Sequence, residues 1–223
     1  MDTNKKNIIE KHIRKTGENL IKNNMDFYYA ETKNDVLPLV KSLIKKGDVI
    51  TNGGTMTMAE CGIDKLVKSP DYTYLDRTTG KSREEVEEIH IKAFSADVYI
   101  SSSNAITEDG YLYNVDGNSN RIAALAYGPK SVIIIAGYNK IVKNLKEAET
   151  RVKREVAPMN CVRLDCNTYC KEKGECVSIS KPERQIADGC SSDDRICCNY
   201  LISAKQRKKN RIKVIIVGEE LGY

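Results

Sequence analysis

No apolar run in this chain approaches the roughly 18 residues that a membrane-crossing helix requires. Nor does an apolar core follow Met1–Lys6, so no secretory leader is expected. Tryptophan is absent, and the two histidines, His12 and His90, have no Cys or Asp at ligand spacing. Both are read as surface or packing residues. Walker and G-x-G-x-x-G patterns are missing, which leaves ATP and NAD without support. No C-x-x-C pair occurs either, so zinc-ribbon spacing is excluded, as are the compact ferredoxin runs. What remains is 223 residues, 40% hydrophobic and 30% charged, long enough for one domain with a substantial core. Collagen-like and disordered chains are excluded, and a soluble cytoplasmic protein is expected.

Charge of one sign is also scarce. The 36 basic and 31 acidic residues leave a net +5, too little to imply nucleic acid. Much of the excess sits in Lys205, Arg207, Lys208, Lys209 and Arg211, a run without the interleaved aromatics of a nucleic-acid surface. It is read as a solvated loop.

Apolar periodicity organises the rest. Ile8, Ile9, Ile13, Gly17, Leu20 and Ile21 predict a helix over Asn4–Asn24, and Val36 to Ile44 a second one closed by Gly47. Strands are predicted at 27–30, 48–51, 73–75, 97–101, 111–115, 131–136 and 212–217. The run Ser131–Ala136 has the continuous β-branched character of a strand buried on both faces. Helices are predicted from Met56 to Val67, from Ser82 to Phe94, from Asn118 to Tyr127, and from Lys140 to Val156. This alternation gives an α/β fold with a largely parallel central sheet flanked by helices. The last strand follows a Cys-rich insertion, 157–204, so residues 1–223 are read as a single domain.

In open α/β sheets, ligands bind beyond the carboxyl ends of the strands. Four loops follow strands here. Asn52-Gly53-Gly54-Thr55-Met56-Thr57 offers close backbone approach and hydroxyls for an anion, or equally a tight turn whose Thr caps a helix. Ser101 to Gly110 carries the adjacent carboxylates Glu108 and Asp109, suited to acid/base work or simply to an Asp-Gly hairpin turn. Asp116-Gly117-Asn118-Ser119-Asn120-Arg121 supplies hydrogen-bonding side chains, with Arg121 as a fork for carboxylate or phosphate. Gly137-Tyr138-Asn139-Lys140 follows the strongest strand.

Taken together these residues resemble the lactate-utilization (LUD) domain family. The resemblance is carried by Asn104 to Gly110, Asp116-Gly117-x-x-Asn120-Arg121, Gly128-Pro129-Lys130, and Gly137-x-Asn139-Lys140. Gly53-Gly54-Thr55-x-Thr57-x-x-Glu60-x-Gly62 and the closing Val217 to Tyr223 extend it over essentially the whole chain. It implies a fold like the sugar-isomerase and CoA-transferase group. It also implies a role in oxidising L-lactate to pyruvate beside iron–sulfur partner proteins, through a small acidic or phosphorylated ligand. On this reading Gly53, Gly54 and Thr55 hold the anion, and Asn104, Asn120 and Arg121 orient it. Asp116, Gly137, Asn139 and Lys140 complete the ligand site, and Glu108 or Asp109 serves as acid/base.

The eight cysteines divide unevenly, with Cys61 alone and seven between Cys161 and Cys198. Cys61 is read as a buried apolar residue. An intracellular cluster points to metal, redox or structural roles before disulfides. The family resemblance selects Cys170, Cys176, Cys190 and Cys197 as ligands of zinc or an iron–sulfur cluster, although Val177–Gly189 here separates the middle pair, which relatives keep close. A non-catalytic module that holds such a group and docks a redox partner is the alternative function.

Overall fold

The computed structural model describes residues 2–223. Among these residues ten strands form: β1 (Asp26–Ala30), β2 (Val49–Asn52), β3 (Thr73–Tyr74), β4 (Val98–Ser101), β5 (Ala105–Thr107), β6 (Leu112–Asp116), β7 (Ser131–Gly137), β8 (Ile141–Val142), β9 (Asn199–Ser203) and β10 (Ile212–Val217). Nine α-helices accompany them: α1 (Thr3–Lys22), α2 (Val36–Leu43), α3 (Met56–Glu60), α4 (Ile63–Val67), α5 (Arg83–Lys92), α6 (Asn120–Ala126), α7 (Leu145–Arg151), α8 (Ala157–Arg163) and α9 (Tyr169–Lys173).

Six strands make a parallel sheet in the order β1-β10-β7-β4-β2-β3. Its centre is written in the sequence, because β7 is apolar from Val132 to Ala136 and β10 from Val214 to Val217, and such runs must be covered on both faces. Side chains alternate in a strand, so Val132, Ile134 and Ala136 pack with Val214 and Ile216 against α1 and α6. Ile133 and Ile135 face the opposite side with Ile215 and Val217, against α2, α3 and α4. Each fully buried branched side chain contributes about 2 kcal/mol of apolar transfer energy. Cys61 belongs to the second of these clusters, as its apolar reading anticipates.

A second sheet, β8-β5-β6-β9, goes beyond the sequence-based expectation. Its β5 is only three residues long and lies within the predicted polar loop. The antiparallel β5–β6 pairing sets Ile106 opposite Leu112 and Ala105 opposite Tyr113. Ile106 and Leu112 face the main sheet, while Ala105 and Tyr113 face Ala148, Val152 and Val156 behind it.

Three boundaries differ from expectation. The helix predicted over 140–156 begins only at Leu145, because Ile141–Val142 pairs with β5, and it then runs through a π-helical turn at Val152–Val156 into α8. The Cys-rich segment therefore leaves the helix after Arg163, and β9 returns it to the second sheet. Third, the basic run is not wholly solvated. Lys205, Arg207, Lys208 and Lys209 are exposed, but Arg211 is buried. Its guanidinium donates to the carbonyls of Ala124, Leu125 and Pro129, capping the end of α6. Among the described residues no helix is long and apolar enough to cross a membrane.

Candidate functional site

Parallel strands place their following loops at one sheet edge, and a cavity of about 430 Å³ opens there. Its walls come from the loops after β2, β3, β4, β6 and β7, closed by α8 and the Cys-rich segment. Gly54, Thr55, Asn104, Asp116, Asn120, Arg121 and Lys140 line it, so seven of the twelve sequence-derived catalytic and ligand residues meet in one place. Thr55 starts α3 without making a side-chain cap bond, so its hydroxyl is left for a ligand. The helix predicted from Met56 breaks at Gly62 and leaves α3 only five residues long. A helix that short adds little dipole, so an anion here depends chiefly on side chains.

Lys140 is the unusual group. It is only 2% exposed, yet no carboxylate stands within ion-pair distance among the described residues. Its Nζ donates to Ser102 Oγ at 2.9 Å and to Thr57 Oγ1 at 3.4 Å. Burial pushes its amine down to about 7, the Arg151 guanidinium adds repulsion, and Glu60 pulls only partly the other way. Asn139 serves Lys140 indirectly. Its side chain accepts from Leu221 N and donates to Gly222 O, and Glu60 accepts from Gly222 N. These bonds hold the Leu221–Tyr223 strap against the lysine. Gly137 lies beneath the strap, where an added Cβ would meet Glu219 O and Leu221 N at 2.5 Å.

Arg77 was not singled out from the sequence. It lies in the turn after β3, and among the described residues its guanidinium has neither a hydrogen-bond nor an ion-pair partner. A Cβ on Gly54 would come within 2.7 Å of it, so this glycine lets the guanidinium lie against the loop. The only local signal was Asp76-Arg77-Thr78, where Asp76 accepts from Thr78 and shapes the turn. Arg163, Asp193, Asp194 and Arg195 also line the cavity, with the Arg163 guanidinium donating to Asn160 Oδ1 and that of Arg195 to Ala187 O and Cys197 O.

Two expectations change in character. Arg121 is not a free fork. Its guanidinium donates to Asn114 Oδ1 at 2.7 Å, Asn104 Oδ1 at 2.9 Å, Val115 O at 2.7 Å and Ser102 O at 3.4 Å. Asp116 likewise accepts from the backbone of Asn118, Arg121 and Ile122, which starts α6. Gly53 packs against Arg121, Ser101 and Tyr99, and Asn120 bonds to the half-buried His90. Glu108 and Asp109 lie at the far end of the β5–β6 hairpin, not in the cavity. Glu108 pairs with Lys15 at 3.1 Å, and Asn19 and Asn23 bind the turn carbonyls. The turn is a dock for α1, where Gly110 at φ +77 leaves room for the Asn19 backbone.

Cys170, Cys176, Cys190 and Cys197 line one small cavity of about 20 Å³ together with Tyr113, Lys153 and Tyr200. The Tyr113 hydroxyl there is fully buried without a hydrogen-bond partner. The thiols have not closed around a centre: no group of three or more ligating side chains among the described residues stands at metal-holding spacing. Cys170 Sγ lies 3.6 Å from Cys161 Sγ, and Arg195 Nε lies 3.3 Å from Cys197 Sγ while its residue also walls the large cavity.

Opposite stability effects separate Lys140 from Arg121. Below about pH 7 folded and unfolded Lys140 are both charged, and the cost of burying that charge is fully present. Between about 7 and the ordinary 10.5 the unfolded chain holds the extra proton, so stability rises with pH. Lys140→Met therefore raises the urea midpoint at about pH 6, and the gain shrinks towards about pH 9. Arg121→Ala strands several buried acceptors and lowers stability by about 3 kcal/mol. A Lys140→Met midpoint below wild type at about pH 6 contradicts this assignment.

The LUD domain profile matches residues 13–217. No curated protein sequence matches the chain. Among solved structures it is similar to a DUF162 family protein from Deinococcus radiodurans, at 14% identity and TM-score 0.49, covering 94% of this chain and 98% of that one. It is similar over about half of each chain to eIF2B delta from Chaetomium thermophilum, at 19% identity, 52% and 50% coverage, and TM-score 0.34. With the profile spanning nearly its whole length, this chain belongs to the LUD domain family.

Proposed function

We propose that the chain binds a small metabolite bearing a carboxylate or phosphate in the cleft at the strand ends, and assists oxidation of L-lactate to pyruvate beside an iron–sulfur partner protein. The observation that carries the binding is a buried lysine without a carboxylate, facing the same cavity as a partnerless arginine. A buried cation lacking a counter-ion is costly, and an anionic ligand supplies what the fold withholds. Arg77 can take the anion by two parallel N–H bonds and Lys140 by one, while Gly54 and Thr55 offer backbone approach and a hydroxyl. The lactate assignment rests on family membership.

Thermal-shift titration with lactate, pyruvate, sugar phosphates, CoA esters and inorganic phosphate tests the binding. A ligand at a hundredfold excess over Kd adds about 2.7 kcal/mol, which is roughly 5–10 °C for a chain of this size. Arg77→Ala and Lys140→Met lose that rise while remaining folded. Silence of the wild-type protein towards the whole series overturns the proposal.

The cysteine cavity favours a second reading, a metal-holding module. Four thiols and an orphaned Tyr113 hydroxyl surround a space of about 20 Å³. As they stand the thiols are not at metal-holding spacing, so they would have to close in on a zinc or iron ion. Cys170, Cys176, Cys190 and Cys197 would hold it as thiolates, and the metal would brace the Cys-rich segment against the cleft through Arg195. Anaerobic purification is expected to yield one zinc or iron per chain, lost in Cys190→Ser. Wild-type protein without stoichiometric metal contradicts this reading.

A further inference from the structure

We propose that Lys140 is a covalent nucleophile, forming an imine with an aldehyde or ketone that carries a carboxylate or phosphate. The proposal rests on the anion-binding reading of the same cleft and adds the carbonyl group to its ligand. A permanent anion clamp is better made from arginine, which stays charged when buried and offers planar paired donors. The fold instead sets a lysine in the cavity wall, 2% exposed, with no carboxylate at ion-pair distance among the described residues.

Hydrogen bonding completes the argument. A neutral amine has two N–H bonds and one lone pair. Lys140 Nζ has two hydroxyl acceptors, Ser102 Oγ at 2.9 Å and Thr57 Oγ1 at 3.4 Å. With both hydroxyls accepting, the two N–H bonds are engaged and the lone pair turns to an incoming electrophile. Burial, which brings the amine down to about 7, supplies the neutral form near neutral pH. Arg77, partnerless in the same cavity, holds the anionic end of the ligand.

The step balances without a redox partner. The nitrogen lone pair forms a C–N bond to the carbonyl carbon, and the carbonyl π-electrons move to oxygen. One amine proton passes to that oxygen, giving a carbinolamine. The C–O bond then breaks, and the oxygen leaves as water with the second amine proton. Ser102, within hydrogen-bond reach of Nζ, is placed to relay these protons.

Reductive trapping tests it. Native protein is treated with glyoxylate and sodium cyanoborohydride, and carboxymethylated lysines are located by peptide mass analysis. Lys140 is expected to be modified at least about tenfold faster than the exposed Lys208, because burial favours the neutral, nucleophilic form of its amine. Inorganic phosphate, competing for Arg77, slows modification at Lys140 but not at Lys208. Arg77→Ala loses that protection and Ser102→Ala slows the trapping, with circular dichroism confirming that both are folded. Modification confined to surface lysines, with Lys140 untouched, overturns the proposal. If phosphate still raises the wild-type thermal midpoint in that case, the imine fails alone and the anion site stands. Fast modification of Lys140 without any anion-induced rise upholds the nucleophile and discards the anion reading.

Discussion

The buried guanidinium of Arg121 fixes how the two sheets meet. Its donors reach Ser102 at the end of β4, Asn104 before β5, and Asn114 and Val115 in β6. These are the points at which the chain leaves the parallel sheet and folds back as a hairpin. Asn104 adds to the junction by accepting from Val115 N at 2.8 Å while its own carbonyl receives Arg151. Without a cation at this crossing, four buried carbonyl and amide oxygens would each lose a donor. Burial itself disfavours the charge on Arg121, with Asp116 offsetting part of the cost. The cleft is built on this junction, since Ser102, which receives the Lys140 amine, is held by it.

Structural and ligand-facing cations thus lie side by side with different wiring. Arg121 and Arg151 spend their donors on the protein, whereas among the described residues Arg77 has no partner and Lys140 has only hydroxyls. Such a division is what a binding site requires: saturated groups give rigidity, and unsaturated ones wait for a ligand. The strap at Leu221–Tyr223, pinned by Asn139 and Glu60, lies beside Lys140, where a Cβ on Gly222 would come within 3.5 Å of its Nζ. Family membership says which biological setting to look in, while the wiring says which atoms a ligand would touch.

Much of the fold was legible because its core strands are unambiguous. The apolar runs of β7 and β10 announce a doubly covered parallel sheet, and the polar loops after β2, β4, β6 and β7 do gather at its edge. The second sheet was hidden because β5 is three residues long and β8 two, too short for any periodicity. Glu108 and Asp109 misled because adjacent carboxylates after a strand look chemical, and only the hairpin's direction shows that they face α1. Arg121 was identified, but its role was not readable, since a sequence does not reveal how many acceptors surround a guanidinium. Arg77 was missed because one arginine after a two-residue strand carries no pattern. The four cysteines chosen by resemblance do line one cavity despite the long Val177–Gly189 separation, because β9 and the segment's return bring Cys190 and Cys197 back to it.

The central claim, that a buried and partly neutral amine waits in the wall of the cleft, is most directly tested by NMR titration of the lysine side chains. In protein labelled with carbon-13 at the lysine Cε, one resonance, assigned by its loss in Lys140→Met, is predicted to titrate near 7. Added phosphate should raise that midpoint by stabilising the charged form. A Lys140 resonance that titrates near the ordinary 10.5 and ignores phosphate would contradict the account.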